Sequence, residues 1–599
     1  MSLSSDFSRP PMWRVVVRSG WPLLLLVGAL VVMFGPIWSH YLELGLDPYR
    51  FNGDARSYVV PALRFIDPEL FPNSPDLDYI KWLSPIGYQA IYALSSHWME
   101  PLLFSKMLGV GLFFLGLMAV GLASYRLSGW AGVWVSMALM LSSGPELSGM
   151  PRNFSIPLLA LAVAALLYGR VILVAAVVLV AAMFYPPVAV LGGCMLFLWL
   201  IVWPASDRGD ARTWSFKSRV LFLAATAFLC LVLEGKQWFG SEGYGPLLTA
   251  KYCDAYPESG PQGRLEVVSV CQPPPPLVET LANLSLATLT DLHRGDPWFY
   301  DLRVMAKWKL ASLGISRDRF LVGMFLLVML AGYGLNLVRD PTGRRLLILL
   351  AAGGVGYVFS QPFAPQFYYP LRYLEKTVSL FLLIALPATV AALAVWFGNR
   401  WNGSWLRRPF VRSTAVLLVG GACLLTLGGR GGQYGGIDKD LTGAAPLMNY
   451  LRTLPKDALI AGWPKGITES IPLLAHRSVL VNQETHWPFH KEFTDEMRAR
   501  TYALMEAYLA TTPEPLIALR ERYGVMYLVV EPRILDKGKL KYFSPFIEFA
   551  NQKKREGQSR GFEVIRQIPH AQTFSMKDVV VLDLRLLQGA PINLEGDRP

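Results

Sequence analysis

The 599-residue sequence has few charged residues for its length, and those it has are unevenly placed. Asp, Glu, Lys and Arg make up 17% of the chain, whereas a soluble globular protein has roughly a quarter. Residues 1–429 consist mainly of long apolar runs almost free of charge, and residues 430–599 have the composition of an ordinary soluble domain. This pattern excludes a simple soluble enzyme and a disordered chain. It also excludes a bacterial outer-membrane barrel, whose strands alternate apolar and polar residues.

Several functional motifs are also missing from the sequence. It has no P-loop, so ATP-driven transport by this chain alone is excluded. No ionisable residue lies in the middle of an apolar run, and none of the seven histidines lies in one. Proton-coupled transporters usually carry acids or histidines at that depth. Proton-coupled transport, haem ligation and respiratory chemistry are therefore disfavoured.

The apolar runs predict a polytopic helical membrane protein. A membrane-spanning helix needs about 20 apolar residues, and eleven runs approach or reach that length. They are 20–38, 103–124, 129–145, 153–168, 171–185, 188–203, 218–235, 319–338, 345–361, 373–397 and 413–428. Pro186 and Pro187 interrupt the stretch 171–203, which we interpret as two helices that meet at a tight turn; one kinked helix is the alternative.

The cations between the runs predict the orientation of the chain. With a cytoplasmic N-terminus, every cluster of Arg and Lys in a short loop falls on the cytoplasmic side, as the positive-inside rule requires. This topology places three segments outside: a first loop (39–102), a second large loop (236–318) and the C-terminal domain (430–599). The formal net charge of +12 is explained by these loops, and we expect no binding to nucleic acid.

The cysteines are compatible with an outer location of the second large loop. Of the five cysteines, Cys253 and Cys271 share this loop, and the others lie in apolar runs. A disulfide between them would fit an oxidising compartment, and two free thiols are the alternative. Their spacing matches no zinc site.

The C-terminal domain reads as an α/β module. Short apolar runs at 458–462, 478–481, 526–530 and 579–583 predict strands, and residues 491–510 and 514–522 predict helices. Strands that alternate with helices favour a small layered fold.

Asp54 in the first loop is the strongest catalytic candidate. Gly53 precedes it and permits close backbone approach. An acid held near lipid is suited to serve as a general base. The structural alternative is that Asp54 caps a short helix, a position that Asp favours.

The long first loop with Gly-Asp and a following tyrosine, the eleven spans and the C-terminal α/β domain together resemble the membrane glycosyltransferases of the GT-C fold. That superfamily includes protein O-mannosyltransferases, lipid A aminoarabinose transferases and oligosaccharyltransferases. The resemblance implies a polyprenyl-phosphate-linked sugar donor and a catalytic acid in the first loop. Asp54 matches that acid best, and Asp47 is the second choice.

A second match lies at 366–374, just before the tenth span. It resembles the Tyr-Pro-x-Arg-Tyr element of bacterial GT-C enzymes, which implies that Arg372 binds the donor phosphate. Arginine offers a planar, permanently charged fork to phosphate oxygens. Tyr58, Tyr369 and Tyr373 are then expected to line the substrate site. An interfacial anchor is the alternative for Arg372 and its tyrosines.

Two further groups complete the candidate site. Glu146, in the loop between the third and fourth spans, matches by position the second acid of several GT-C enzymes, and Arg152 in the same loop is a second candidate phosphate ligand. A helix cap and an ordinary interface charge are their structural alternatives. Glu484 and His486 in the C-terminal domain are candidates for lining the substrate site or binding metal, with a solvated histidine as the alternative.

The sequence departs from parts of the superfamily. It has no Trp-Trp-Asp element, the acceptor-recognition mark of oligosaccharyltransferases, and Ala55 replaces the second acid that O-mannosyltransferases place after the first. We therefore expect no transfer to Asn-x-Ser/Thr. The sequence specifies no metal site, and it neither requires nor excludes a divalent cation as cofactor.

These features predict an inverting glycosyltransferase in a bacterial cytoplasmic membrane. It would transfer a sugar from a polyprenyl phosphate to a hydroxyl of a glycan, lipid or protein at the outer face. A lipid or polysaccharide transporter, and a non-catalytic scaffold of an envelope-assembly complex, remain as alternatives.

Overall fold

The computed structural model describes residues 35–72, 74–143, 146–239, 243–260, 262–264, 340–361, 370–400, 436–536 and 538–587. Helices dominate the described part of residues 35–400. They are α1 (Gly35–Leu46), α2 (Ala55–Tyr58), α3 (Pro75–Leu83), α4 (Ile86–Ser95), α5 (Pro101–Ser143), α6 (Ser155–Leu167), α7 (Val171–Phe184), α8 (Pro186–Phe197), α9 (Phe216–Phe239), α10 (Pro341–Ser360) and α11 (Leu371–Arg400).

Three of the described helices contain a segment long and apolar enough to cross a membrane: Pro101–Trp130, Phe216–Gly235 and Pro341–Ser360. Shorter apolar helices cover Pro151–Leu167, Val171–Phe184 and Pro186–Val202. The predicted spans 319–338 and 413–428, and most of 20–38, lie outside the described residues. The predicted count of eleven therefore stays a prediction. Helix α1 continues to Leu46, eight residues beyond the predicted end of the first span, so the first loop begins later than expected.

Two sharp changes of direction separate neighbouring apolar helices. Gly129 has a φ of 69°, which a residue with a side chain rarely adopts, and it divides α5 into two helical segments. Tyr185 separates α7 from α8, which begins with the two prolines and packs against α7. The prediction of two helices that meet at a tight turn is therefore confirmed for 171–203.

The described part of the C-terminal domain contains a five-stranded mixed sheet. A short pair, β1 (Arg50–Phe51) and β2 (Lys439–Asp440), is separate from it. The sheet strands are β3 (Leu459–Gly462), β4 (Ser478–Val479), β5 (Val525–Val530), β6 (Gln572–Met576) and β7 (Val579–Asp583), in the order β4-β3-β5-β7-β6. Strand β3 is parallel to β4 and β5, and β7 is antiparallel to β5 and β6.

Helices accompany the sheet, as predicted. They are α12 (Ala445–Thr453), α13 (Ile471–Ala475), α14 (Lys491–Tyr508), α15 (Glu514–Tyr523), α16 (Pro532–Asp536), α17 (Phe546–Arg560), α18 (Glu563–Arg566) and α19 (Ile568–Ala571). All five residues of β7 are buried, as expected for a strand covered on both faces. Strands β3, β4, β5 and β7 lie within about two residues of their predicted positions.

The first loop is bound to the C-terminal domain by polar contacts along its length. The Tyr79 hydroxyl lies 2.8 Å from His490 Nδ1, and the hydroxyls of Ser74 and Ser478 are 2.9 Å apart. Lys456 pairs with Asp67 at 2.7 Å. The first loop is therefore held against the domain that carries the sheet.

Arg344 and Arg345 join two segments at the other end of the helices. Arg344 Nε lies 2.6 Å from an Asp207 carboxylate oxygen, and Arg345 donates to the carbonyls of Asp207 and Leu167. Leu167 is the last residue of α6. The cation-rich segments around 208 and 344 therefore meet where α6 ends.

Candidate active site

The turn that carries Asp54 is fixed by its neighbours. The Asp54 backbone N–H donates to Asn52 Oδ1 at 3.0 Å, and Arg56 Nε donates to the Gly53 carbonyl at 3.0 Å. Asp54 occupies the N-cap position of α2, but its side chain makes no cap hydrogen bond. The carboxylate is therefore directed to another partner, and the capping alternative does not describe its contacts.

Arg152 joins the two candidate acids. Its Nη1 lies 2.8 Å from Asp54 Oδ2, and its Nη2 lies 2.9 Å from Glu146 Oε1. The three side chains are 36–38% exposed, so a substrate can reach them. One guanidinium thus holds two carboxylates from different loops at one accessible place.

The electrostatic environment of Arg152 includes Arg372. Partial burial lowers the pKa of Arg152, but the carboxylates of Glu146 and Asp54 outweigh this effect and the net pKa is raised. Arg372 opposes that rise by like-charge repulsion. Arg372 Nη1 donates to the Tyr185 hydroxyl at 3.1 Å.

Segment 436–440 contributes groups to this site that no sequence motif indicates. Asp438 Oδ1 accepts a 2.6 Å hydrogen bond from the Gly53 N–H, and the Gly436 carbonyl accepts one of 2.7 Å from Asn52 Nδ2. Gly436 has a φ of 71°, and an added Cβ would lie 2.3 Å from Glu146 Cγ. No local signal reveals this association, because 385 residues separate Gly53 from Asp438.

A second, buried group of charges lies beside the Asp54 turn. Arg56 pairs with Glu469 at 2.7 Å and with Glu484 Oε1 at 2.8 Å, and Arg264 Nη2 lies 3.6 Å from Glu484 Oε2. Burial raises the pKa of Glu484, while Arg56 and Arg264 oppose that rise. The C-terminal domain is thus clamped to the residues that immediately follow Asp54.

Of the residues predicted to line the substrate site, Tyr58 and Glu484 lie beside the Asp54 turn. Tyr58 is half-buried, with its ring centroid 5.7 Å from that of Trp487 and 6.1 Å from that of Tyr88. Glu484 is partly exposed and lies beside the same turn. Tyr369 lies outside the described residues.

Tyr373 and His486 do not line an accessible surface, which corrects the expectation for both. Tyr373 is 1% exposed and packs against Gly356, because α10 and α11 lie in contact. His486 is fully buried among Tyr542, Phe543 and Phe546. Burial lowers the pKa of His486 to about 3, so this imidazole stays neutral at physiological pH. The alternative of a solvated histidine is wrong as well.

The described residues contain no group of three or more His, Cys, Asp or Glu that could hold a metal ion. In the second large loop, Cys253 is disulfide-bonded, which favours the disulfide over the free thiol for this residue. Cys271 lies outside the described residues.

Asp76→Asn is expected to stabilise the contact between the first loop and the C-terminal domain at neutral pH. Asp76 is 4% exposed, accepts a 2.7 Å hydrogen bond from the Thr485 hydroxyl, and has a pKa raised above 3.8 by burial. Because the folded state then holds this proton more tightly than the unfolded state, stability falls as pH rises above 3.8. Asparagine can accept the same hydrogen bond without a charge.

Thermal unfolding of the two proteins at pH 7 and at pH 3.5 checks this prediction. The variant should have the higher midpoint at pH 7, by about 2–4 °C for each kcal/mol gained. The advantage should vanish at the lower pH. A lower midpoint for the variant at pH 7 would contradict it.

No protein-family model and no curated protein matches this chain. Among solved structures, it is similar to ArnT from Cupriavidus metallidurans bound to undecaprenyl phosphate, with 12% identity and a TM-score of 0.47 over 94% of this chain and 98% of that chain. It is also similar to the archaeal oligosaccharyltransferase AglB from Archaeoglobus fulgidus in complex with an inhibitory peptide and a dolichol-phosphate. The identity there is 12% and the TM-score 0.45, over 86% of this chain and 70% of that chain.

Proposed function

We propose that this protein is an inverting membrane glycosyltransferase that moves a sugar from a polyprenyl phosphate to an acceptor hydroxyl. The observation that carries the proposal is the bridge from Asp54 through Arg152 to Glu146, accessible and within the influence of Arg372. Such an arrangement combines an acid for proton transfer with fixed cations for a phosphate.

Each group has a role in the proposed reaction. The acceptor oxygen attacks the anomeric carbon of the donor sugar, and the bond from that carbon to the phosphate oxygen breaks. Asp54 takes the proton of the acceptor hydroxyl. The polyprenyl phosphate leaves with the electron pair, and Arg152 and Arg372 stabilise its developing charge. Glu146 holds Arg152 in place through the 2.9 Å ion pair.

The proposed location is the outer face of a bacterial cytoplasmic membrane. Arg152 lies three residues before Ser155, the first residue of α6, whereas the carbonyl at the end of α6 accepts from Arg345 in the cation-rich group. The candidate site and the cations thus lie at opposite ends of this helix. Because cation-rich loops face the cytoplasm, the site is assigned to the other side. The disulfide of Cys253 fits an oxidising compartment there.

A turnover assay tests the proposal directly. Purified protein in lipid vesicles receives lipid-linked sugars, acceptor lipids and proteins extracted from its source membranes, and free polyprenyl phosphate is measured over time. We expect release that depends on the protein. Movement of the lipid-linked sugar across the bilayer without release would favour a transporter. The absence of both release and movement would favour a scaffold.

Arg152→Gln is expected to lower kcat/KM for the donor by about 100- to 1,000-fold, the range for removal of one preorganised charge donor. Glutamine keeps a hydrogen-bonding group but loses the cation that joins Asp54 to Glu146. The kinetics are measured with the extracted lipid-linked sugar.

Arg152→Lys is the matched control. It keeps the charge but cannot span two carboxylates with one planar group, so an intermediate loss is expected. Equal activity of wild type and Arg152→Gln would show that Arg152 does not bind the donor phosphate.

A further inference from the structure

A partly exposed tryptophan lies next to the candidate active site on the C-terminal domain. The Trp487 ring is in edge-to-face contact with the Tyr58 ring, at 5.7 Å between centroids and 66° between planes. The backbone N–H of Tyr58 donates to the Asp54 carbonyl at 3.1 Å. The indole is therefore one aromatic ring away from the turn that carries the proposed base.

The Trp487 indole and the nearby Glu484 carboxylate retain hydrogen-bonding capacity. Within the described part of the chain, the Trp487 indole N–H has no hydrogen-bond partner. Glu484 directs Oε1 to Arg56 at 2.8 Å, whereas among the described residues Oε2 has only the more distant Arg264 at 3.6 Å. A half-buried indole ring, which also contacts the Phe489 ring, thus lies in the same loop as a carboxylate oxygen that can still accept a hydrogen bond.

The loop that presents both side chains is firmly held. Asn482 Nδ2 donates to the Glu469 carbonyl, and Asn482 Oδ1 accepts from the Glu484 N–H at 2.9 Å. The Thr485 hydroxyl is bonded to Asp76, and the Ser57 hydroxyl donates to the Glu484 carbonyl at 3.0 Å. Such preorganisation lowers the entropic cost of binding a ligand.

The backbone of the loop is unsuited to an extended peptide. The N–H groups of Gln483, His486, Trp487 and Phe489 already donate to carbonyls within the chain. A peptide that adds a strand needs free backbone donors and acceptors. A pyranose ring needs neither, because it offers an apolar C–H face to an aromatic ring and hydroxyls to neighbouring polar groups.

We infer that Trp487 and Glu484 form the binding site for the acceptor, and that this acceptor is a carbohydrate. The inference rests on the proposed function. Trp487 provides the platform for a sugar ring, and Glu484 accepts a hydrogen bond from one of its hydroxyls. The acceptor hydroxyl is thereby presented to Asp54, while the donor phosphate is held by Arg152 and Arg372.

Transfer kinetics test the inference with two acceptor pools from the source membranes. One is a protease-treated glycan and glycolipid fraction, and the other is a fraction of delipidated, deglycosylated membrane proteins. Reconstituted full-length protein with radiolabelled lipid-linked sugar should label the glycan fraction. Labelling of the protein fraction alone would overturn the inference and leave the proposed function intact.

Substitutions at Trp487 distinguish loss of the aromatic sugar-binding surface from a nonspecific loss of activity. Trp487→Leu keeps apolar volume but removes the flat ring, so KM for the glycan fraction should rise roughly tenfold, in the range for loss of an aromatic anchor. Trp487→Phe should stay within about threefold of wild type. Trp98→Ala, at an exposed tryptophan that lies outside residues 482–490, should leave every rate unchanged. An unchanged KM for Trp487→Leu would overturn the inference.

A binding measurement decides the inference independently of turnover. Tritium-labelled glycan fraction is equilibrated with vesicles that contain wild type or Trp487→Leu. Retention by wild type with about tenfold weaker binding by the variant supports the carbohydrate site, even if no polyprenyl phosphate is released and the proposed function fails. Equal binding by the two proteins overturns it.

Discussion

Asp54→Asn is expected to lower the rate of polyprenyl phosphate release by about 100- to 10,000-fold, the contribution typical of a positioned general base. Asparagine has nearly the shape of aspartate but cannot take the proton from the acceptor hydroxyl. Its amide oxygen can still accept from Arg152, which in wild type lies 2.8 Å from Asp54. Donor binding should therefore change little, so the loss should appear in kcat. Turnover and the Kd of polyprenyl phosphate are measured on the same vesicles.

Asp47→Asn is the matched control, since Asp47 is the other acid that the resemblance allows. Its Oδ1 accepts from the Tyr49 N–H, and its other oxygen lies 3.5 Å from Arg50. Asp47 has no contact with Arg152 among the described residues, so this variant should keep most activity. If Asp47→Asn is inactive and Asp54→Asn is active, the base assignment is reversed. If both retain activity, Glu146 and Asp438 become the candidates.

Arg56→Met is expected to weaken the attachment of the C-terminal domain to the first loop by about 3–5 kcal/mol, the cost of leaving a buried charge without its partner. Arg56 is 3% exposed and Glu469 is 5% exposed, so water cannot replace the lost ion pair. The Glu484 carboxylate also loses its 2.8 Å contact. Hydrogen exchange of residues 482–490 in vesicles should accelerate by at least about 100-fold, because each 1.4 kcal/mol is tenfold.

Arg50→Met tests whether burial of the ion pair is the cause of the large effect expected for Arg56→Met. Arg50 also joins the first loop to the C-terminal domain, through a 3.0 Å pair with Asp440, but both side chains are exposed. Exposed pairs contribute about 0–1 kcal/mol, so exchange in this variant should stay within about fivefold of wild type. Similar acceleration in both variants would contradict the role assigned to the buried pair.

The candidate site could be predicted from the sequence only in part. Asp54, Glu146 and Arg152 were selected by the chemistry of their side chains and by resemblance, and the structure brings them into contact. Asp438 was missed because its link to Gly53 depends on a pairing between β1 and β2 that no local pattern encodes. His486 was misjudged because a polar side chain in a sequence of mixed polarity gives no sign of whether aromatic rings enclose it.

The sequence by itself determined the features that depend on local hydrophobicity and backbone chemistry. The apolar run 103–124 lies in a helix that is long and apolar enough to cross a membrane, and a helix is the structure in which such a run satisfies its own backbone hydrogen bonds. Pro186 and Pro187 ended one helix and began the next, and the run 579–583 became a buried strand. The helix boundaries follow from interactions between residues close together in the chain. The run 579–583 predicts a strand locally, but its pairing with the distant strand β5 is tertiary.

Only the tertiary structure decided which charged groups meet. The bridge from Asp54 to Glu146 and the clamp from Arg56 to Glu484 join residues far apart in the chain. Such contacts form because the helices and the sheet pack in one arrangement, and packing selects among many charges that are equivalent in the sequence. The same packing buried Tyr373 and His486 and left Trp487 beside the Asp54 turn.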